Sequence, residues 1–175
     1  MATVGPAKEG MPIPLQLPEI LIGAAEAEAL GWMNQAAEVA RGSLCLSKRT
    51  GTIIVKDGEV IGQGHNGPPL DNLQFRTCGP DSDLQQPDSC VHAEQRAIMD
   101  ALARNPQKVG GSDLYYVKVD ENGVTKRSGE PYCTVCSRLA LDSGVGRFAL
   151  WHEEGVRQYP TDIYNQLSYS NTRNR

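Results

Sequence analysis

Four residues in two short stretches have the types and the spacing of a catalytic zinc site. His92 is followed two residues later by Glu94, and Cys133 and Cys136 form a C-T-V-C sequence. Zinc prefers nitrogen and thiolate ligands in a tetrahedron, and a catalytic site leaves the fourth position to water. We predict that His92, Cys133 and Cys136 hold one Zn²⁺ and that the water on it becomes hydroxide near neutral pH.

The two stretches together resemble the signature of zinc-dependent deaminases, H-x-E followed by P-C-x-x-C. The resemblance implies hydrolytic deamination, in which protons pass from water to a ring nitrogen and to the departing ammonia. One carboxyl group with a raised pKa can carry these protons in sequence. Glu94, expected in the first turn of a helix that follows His92, is therefore predicted to be the catalytic proton shuttle and not a metal ligand.

Other interpretations of the cysteine pair fit the sequence less well. A C-x-x-C pair is often half of a structural zinc site or a redox pair. A structural site needs a fourth ligand, and the chain has no second C-x-x-C and no H-x-x-x-H sequence. A structural zinc module without catalysis remains the non-enzyme alternative, and Glu94 separates the two because a purely structural site does not need it.

The composition is that of one ordinary globular domain. The 175 residues are 39% hydrophobic and 22% charged, with a net charge of -4. We predict a single domain over residues 19–175, preceded by a flexible, proline-containing arm at 1–18. A nucleic-acid partner is not favoured, because it would want a basic groove and stacking aromatic side chains, and aromatic residues make up only 6% of the chain.

The expected location and assembly follow from similarly simple features. No secretory signal is visible, and no stretch is long enough to span a bilayer, so we expect no membrane partner. A reducing cytoplasm suits thiolate ligands. Ile13, Leu15 and Leu17 alternate in the arm, which offers a contact between subunits as an alternative to disorder, and we expect a homo-oligomer.

Patterning places the predicted metal ligands at the starts of helices. A helix is predicted over residues 19–41, divided near Gly23 and Gly31, and an Asp57-Gly58 turn predicts a hairpin. Further predicted elements are strands at 52–56, 59–64, 113–119 and 147–151 and helices at 93–104 and 134–142. The last two strands, joined through a helix, imply a parallel crossover. Residues 155–175 carry no strong pattern beyond a short helix near 162–167.

A long irregular segment, residues 67–91, leads directly to His92. Loops of this length inside a compact domain are usually functional or disordered, so we interpret it as a wall or lid of the site. It contains Cys78 and Cys90, which could hold a second zinc ion together with His65 or a carboxylate. The favoured alternative is that they are two free thiols.

The order of elements resembles the cytidine deaminase superfamily over roughly residues 32–152. The resemblance implies an α/β fold, a three-layer α/β/α arrangement with a mixed five-stranded sheet and zinc between two helix N-termini. Within the superfamily, the G-H-N-G-P-P sequence at 64–69 is similar to the G-Y-N-G-x-P segment of deoxycytidylate (dCMP) deaminases. This implies that His65 and Asn66 lie at the substrate, with Asn66 bonded to the sugar, and that the backbone near Ala93, Glu130 and Pro131 contacts the pyrimidine.

The predicted reaction is the zinc-dependent hydrolysis of a free pyrimidine nucleotide, dCMP to dUMP. Alternatives are a nucleoside or free base (cytidine, cytosine or guanine) and, less favoured, a nucleic acid. The sequence departs from the family pattern twice: Tyr132 separates Pro131 from Cys133, and His65 replaces a tyrosine. Candidates for the 5′-phosphate, without ranking, are Lys48, Arg49, Arg76 and Arg138.

Overall fold

The computed structural model describes residues 17–46, 48–78 and 90–173. The strands of this part are β1 (Glu19–Ile20), β2 (Arg49–Lys56), β3 (Glu59–His65), β4 (Asp113–Val119), β5 (Thr125–Lys126), β6 (Arg147–His152) and β7 (Gly155–Pro160). The α-helices are α1 (Gly23–Arg41), α2 (Ala93–Arg104), α3 (Thr134–Ser143) and α4 (Thr161–Arg173). Short 3₁₀ helices cover Pro69–Asp71, Leu73–Phe75 and Pro106–Lys108. Apart from Leu17 and Pro18, the predicted arm at 1–18 lies outside the described residues.

The seven described strands form one mixed sheet in the order β1-β7-β6-β4-β2-β3, with β5 paired to β4. Strands β4 and β6 run parallel, joined through α3, while the other described pairs are antiparallel. The predicted crossover and mixed sheet are therefore confirmed. The five longer strands match the expected number, and β1 and β5, of two residues each, bring the total to seven.

Helices cover both faces of the sheet, which confirms the predicted three-layer α/β/α arrangement. Side chains alternate along β2, so Ile53 and Val55 pack under α1 whereas Ile54 packs under α2. The α1 side also buries residues of β4, β6 and β7, and the other side buries residues of α2, α3 and α4. The sheet is thus buried on both faces by separate hydrophobic clusters.

Two glycines allow helices to lie directly on the hairpin of β2 and β3. A Cβ atom at Gly51 would lie 2.3 Å from the Ala36 carbonyl oxygen of α1. A Cβ atom at Gly64 would lie 2.5 Å from Arg96 Cβ and 2.7 Å from the Ala93 carbonyl oxygen. Both are closer than any real Cβ contact, so a side chain at Gly64 would push the first turn of α2, which begins at the predicted zinc site, away from β3.

The predicted first helix is wrong at its start and in its division. Glu19 and Ile20 pair with β7 instead of joining the helix, which begins at Gly23 and continues without a break through Gly31. A Cβ atom at Gly31 would have no neighbour within 4 Å. Glycine there costs only its weak helix propensity, about 1 kcal/mol, and the packing of the helix on the sheet overrides that cost.

Strand β7 and most of α4 lie where the sequence showed no strong pattern. Buried and half-buried residues do not alternate in β7, because Gln158 and Tyr159 are both buried. Helix α4 extends well beyond the expected 162–167 and contacts α3 partly through polar groups, with the Ser137 hydroxyl donating to Asn165 Oδ1 at 2.8 Å. Polar packing of this kind hides a helix from a search for apolar periodicity.

The described helices include none that is both long and apolar enough to cross a bilayer.

Candidate active site

The three predicted zinc ligands converge in the structure. His92 Nδ1 lies 3.3 Å from Cys133 Sγ and 3.1 Å from Cys136 Sγ, and the two sulfur atoms are 2.8 Å apart. Tetrahedral zinc, with bonds of about 2.0–2.3 Å, places ligand atoms roughly 3.5–3.8 Å from one another. A single ion therefore requires only a small outward adjustment of the three side chains.

Two helix N-termini position these ligands. His92 is the residue before α2, and its backbone N–H donates to Gln95 Oε1 at 2.9 Å, which closes the first turn. Cys133 is the residue before α3, and its sulfur accepts the Cys136 backbone N–H at 3.3 Å. The positive ends of both helix dipoles point toward the cluster and stabilise thiolates there.

The charge state of the cysteine pair suits a cation. The hydrogen bond from the Cys136 thiol lowers the pKa of Cys133 to about 4, although burial opposes the shift. The pair therefore already carries one negative charge near neutral pH. A divalent ion would favour a second thiolate, and together with the imidazole this gives the one-nitrogen, two-sulfur set of catalytic zinc sites.

Glu94 lies beside the cluster and is not one of its ligands. Its side chain is buried, with 6% of the residue exposed, in the first turn of α2. Burial, followed by the charge of Cys133, raises the pKa of Glu94 to about 7, and its carboxyl group interacts with the Cys136 thiol. Among the described residues, no fourth His, Cys, Asp or Glu joins the three ligands within 4.8 Å of all of them. The arrangement leaves a coordination position for water next to an acid–base group.

Two tyrosines that the sequence analysis missed, half-buried Tyr116 and buried Tyr164, lie close enough to Glu94 to be affected by its charge. Burial, with a contribution from the Glu94 charge, raises the pKa of Tyr116 and of Tyr164 well above the usual value. Tyr164 also stacks on Phe148, with ring centroids 3.9 Å apart. Both tyrosine rings belong to or pack against the hydrophobic cluster that includes Ala97 and Ile98 of α2. Tyr116 could have been found from the alternation of β4, whereas Tyr164 lies in the helix whose extent was not predicted.

Asn66, the predicted sugar contact, lies immediately after β3 and is largely committed to internal hydrogen bonds. Its Oδ1 accepts the Ser43 hydroxyl at 2.7 Å and the Thr50 backbone N–H at 2.8 Å. Its Nδ2 donates to the Lys48 carbonyl at 2.7 Å. A primary amide has two N–H donors, and the second has no partner among the described residues. The substrate role of Asn66 stays a prediction, and the structure adds a clamp between β3 and the segment before β2.

His65, the other substrate candidate on β3, contacts different residues. Its Nε2 lies 3.3 Å from Asp71 Oδ1 and 3.4 Å from Arg96 Nη1. Its ring also lies next to Gly42 at the end of α1. These contacts place His65 in an ionic network on the edge strand, so a role in substrate binding stays a prediction.

The remaining substrate candidates are backbone positions around the zinc ligands. Ala93 is the fully buried first residue of α2. The Pro131 carbonyl accepts Asn171 Nδ2 at 2.8 Å, so α4 holds the approach to Cys133 in place. Glu130 is exposed, with Oε1 3.9 Å from His152 Nδ1. The substrate contacts assigned to these three residues stay predictions.

Cys78 and Cys90 lie close to a third cysteine, Cys45, that the sequence analysis did not consider. Cys78 and Cys90 converge with Cys45, and all three sulfur atoms lie within 4.8 Å of one another. Among the described residues, the predicted third ligand, His65 or a carboxylate, does not take part. Cys45 was missed because it stands alone between Leu44 and Leu46, without any motif.

Comparison with known proteins supports the deaminase interpretation. Residues 27–151 match the sequence model of the family described as the cytidine and deoxycytidylate deaminase zinc-binding region. The deoxycytidylate deaminase of Schizosaccharomyces pombe is 27% identical over 96 residues, which cover 49% of this chain and only 28% of that protein. The family match and the ligand cluster confirm the predicted zinc cofactor.

Two solved structures share the fold. The dCMP deaminase of cyanophage S-TIM5, crystallised with dCMP and dUMP, has a TM-score of 0.52 at 24% identity, covering 70% of this chain and 79% of that one. The cytidine deaminase of Burkholderia pseudomallei has a TM-score of 0.52 at 17% identity, covering 77% and 94%. The predicted cytidine deaminase-like fold is confirmed.

Proposed function

This chain belongs to the cytidine and deoxycytidylate deaminase family, and we propose that it hydrolyses dCMP to dUMP and ammonia. The observation that carries the deaminase chemistry is the placement of Glu94, buried beside His92, Cys133 and Cys136 without being a ligand. A purely structural zinc site has no use for such a carboxyl group, and this argues against the non-enzyme alternative.

The choice of dCMP has separate support. The G-H-N-G-P-P sequence at 64–69 resembles the corresponding segment of dCMP deaminases, and the yeast relative bears that name. Asn66 retains one amide donor for a sugar hydroxyl. The net charge of -4 and the low aromatic content favour a mononucleotide over a polynucleotide, whose many phosphates would require a basic surface.

The zinc ion held by His92, Cys133 and Cys136 would act as a Lewis acid that lowers the pKa of the attacking water. Glu94 accepts a proton from that water as the oxygen bonds to C4 of the cytosine ring, and it delivers the proton to N3. It then carries the second water proton to the exocyclic amino group, and the C4–N bond breaks. One water is consumed, the products are the uracil ring and ammonia, and Glu94 returns to its starting state.

The environment of Glu94 suits both halves of this cycle. A carboxyl group with a pKa of about 7 can both accept and donate a proton near neutral pH. The side chain is buried, which limits the access of bulk water to it. The helix N-termini and the backbone around Ala93 and Pro131 would hold the ring so that C4 faces the attacking water.

The test is a substrate competition with the zinc-loaded protein. Ammonia release is measured for dCMP, cytidine, cytosine, guanine and a cytosine-containing single strand at matched concentration, at low and moderate salt. We expect dCMP to have the highest kcat/KM, with little dependence on salt. Faster turnover of cytidine than of dCMP would overturn the nucleotide assignment, and Glu94→Gln controls for contaminating deaminases.

We further propose that the protein works as a homo-oligomer in a reducing compartment such as the cytoplasm. None of the five cysteines forms a disulfide, which suits reducing conditions. Leu70, Leu73 and Phe75 are exposed on the same short segment and offer an apolar contact surface. Sedimentation equilibrium tests the assembly, and a monomer at micromolar concentration would contradict it.

A further inference from the structure

We propose that Cys45, Cys78 and Cys90 form a second zinc site whose role is structural. The three sulfur atoms lie within 4.8 Å of one another, a separation that one ion can bridge. They come from three distinct segments: the connection between α1 and β2, the residues after the 3₁₀ helix at Leu73–Phe75, and the approach to α2. Thiolates are the ligands that zinc and similar soft cations prefer.

The geometry favours a metal over the alternatives. A disulfide would use only two of the three sulfur atoms, and none of the three cysteines forms a disulfide here. Chance proximity of three cysteines from separate segments is a poor explanation when they are three of only five in the chain. Among the described residues no fourth His, Cys, Asp or Glu joins them, so the proposed site has three protein ligands and water would fill its fourth position.

The segment that contains Cys78 has few other stabilising contacts, so a bound metal ion would help to order it. Arg96 holds its beginning, through hydrogen bonds of 2.6 Å from its guanidinium to the Pro68 carbonyl and to Asp71 Oδ1. Beyond Asp71, however, Leu73 and Phe75 are exposed, so burial of apolar surface contributes little. A metal cross-link supplies the ordering free energy that a small hydrophobic core would otherwise provide.

The site also connects the two halves of the active site. Val91, between Cys90 and the zinc ligand His92, exchanges backbone hydrogen bonds of 2.9 and 3.2 Å with Gly67, the residue after Asn66. On the other side, the Cys45 backbone N–H donates to the Ser43 hydroxyl at 3.2 Å, and that hydroxyl donates to Asn66. An ion on the three sulfurs would therefore tie His92 and Asn66 to a common support.

Metal stoichiometry tests the proposal independently of turnover. The full-length protein is equilibrated with excess Zn²⁺, freed of unbound ion by gel filtration, and its bound zinc is measured by elemental analysis. We expect two equivalents in wild type, one in Cys78→Ser, one in the matched control Cys136→Ser and none in the double variant. One equivalent in wild type that is unchanged in Cys78→Ser would overturn the second site, whatever the enzyme's activity.

A thiol-labelling experiment on wild type covers the case in which a variant fails to fold. Iodoacetamide is added to the zinc-loaded protein with and without a chelator, and peptide mass spectrometry identifies the alkylated cysteines. We expect Cys78 and Cys90 to be protected until the chelator removes the ion. Full alkylation of both in the loaded protein, or a mass loss that reports a disulfide, would contradict the proposal.

Discussion

The two cysteine-containing clusters of this molecule are built in opposite ways. His92, Cys133 and Cys136 stand at the first turns of α2 and α3, where the sheet and its core hold the backbone. Cys45, Cys78 and Cys90 stand on connecting segments, where little apolar surface is buried. The fold positions the first cluster, so we expect its zinc ion to serve catalysis. The second would use its metal to hold the chain.

The sharpest test of this contrast is Glu94→Gln. The amide preserves size and burial but cannot carry protons, so we expect kcat to fall by about 10²–10⁴ with zinc content and thermal stability nearly unchanged. Steady-state kinetics and elemental analysis provide the measurements, and Glu121→Gln, at an exposed turn position, is the control. Activity within a few-fold of wild type would exclude Glu94 as the shuttle.

Cys45→Ser should have a smaller effect than Glu94→Gln, and the effect should be a loss of stability. Loss of a cross-link between distant segments costs on the order of 2–4 kcal/mol, by analogy with a disulfide. For a domain of this size that lowers Tm by roughly 5–15 °C. Calorimetry of zinc-loaded protein measures it, and a chelator should remove the difference between variant and wild type. A Tm equal to that of wild type in excess zinc would mean that the second cluster does not hold the chain.

Asn66 is linked through Ser43 to Cys45 and is also a substrate candidate. Asn66→Ala should therefore affect both stability and substrate binding. It leaves the Thr50 N–H and the Lys48 carbonyl without their partner, which costs on the order of 1–3 kcal/mol. We also expect the substitution to raise KM for dCMP, which carries the sugar, more than KM for free cytosine. Kinetics with dCMP and cytosine, together with a melting curve, separate the effects. An unchanged ratio of the two KM values would make Asn66 a structural residue only.

Ser43→Ala gives the smallest expected change and completes the comparison. It removes the hydroxyl that bridges Cys45 and Asn66, for a loss of about 1 kcal/mol in unfolding free energy. Because Asn66 keeps its bonds to Thr50 and Lys48, KM should move by less than twofold. Denaturant unfolding measures the loss, and a KM defect as large as that of Asn66→Ala would show that the bridge itself positions the substrate.

The convergence of His92, Cys133 and Cys136 was predictable from sequence because their spacing follows local rules. A C-x-x-C pair at a helix start and a histidine two residues before a glutamate encode their geometry over a few positions, and regular patterning predicted α2, α3, β4 and β6 around them. Cys45 could not be predicted, because its role depends on residues 33 and 45 positions away along the chain. Contacts between distant irregular segments leave no period in the sequence.

The same distinction explains the missed ends of the fold. Strand β1 has two residues and exists only because β7 is there to pair with it. Helix α4 packs against α3 partly through Ser137, Asn165 and Ser168, so its inward face does not read as apolar. Neither β1 nor the full length of α4 could be predicted before its packing partner was known. Tyr164, near Glu94, was missed for the same reason.

The glycine contacts of the β2–β3 hairpin predict which of its positions can change in this protein. Gly58 needs only a backbone with φ of +76° and has open space around it, so asparagine could replace it at modest cost. Gly64 has no space for any side chain, since even a methyl group would collide with Ala93 and Ala97 of α2. In a library of random variants, position 58 should tolerate exchange while position 64 stays invariant among active clones.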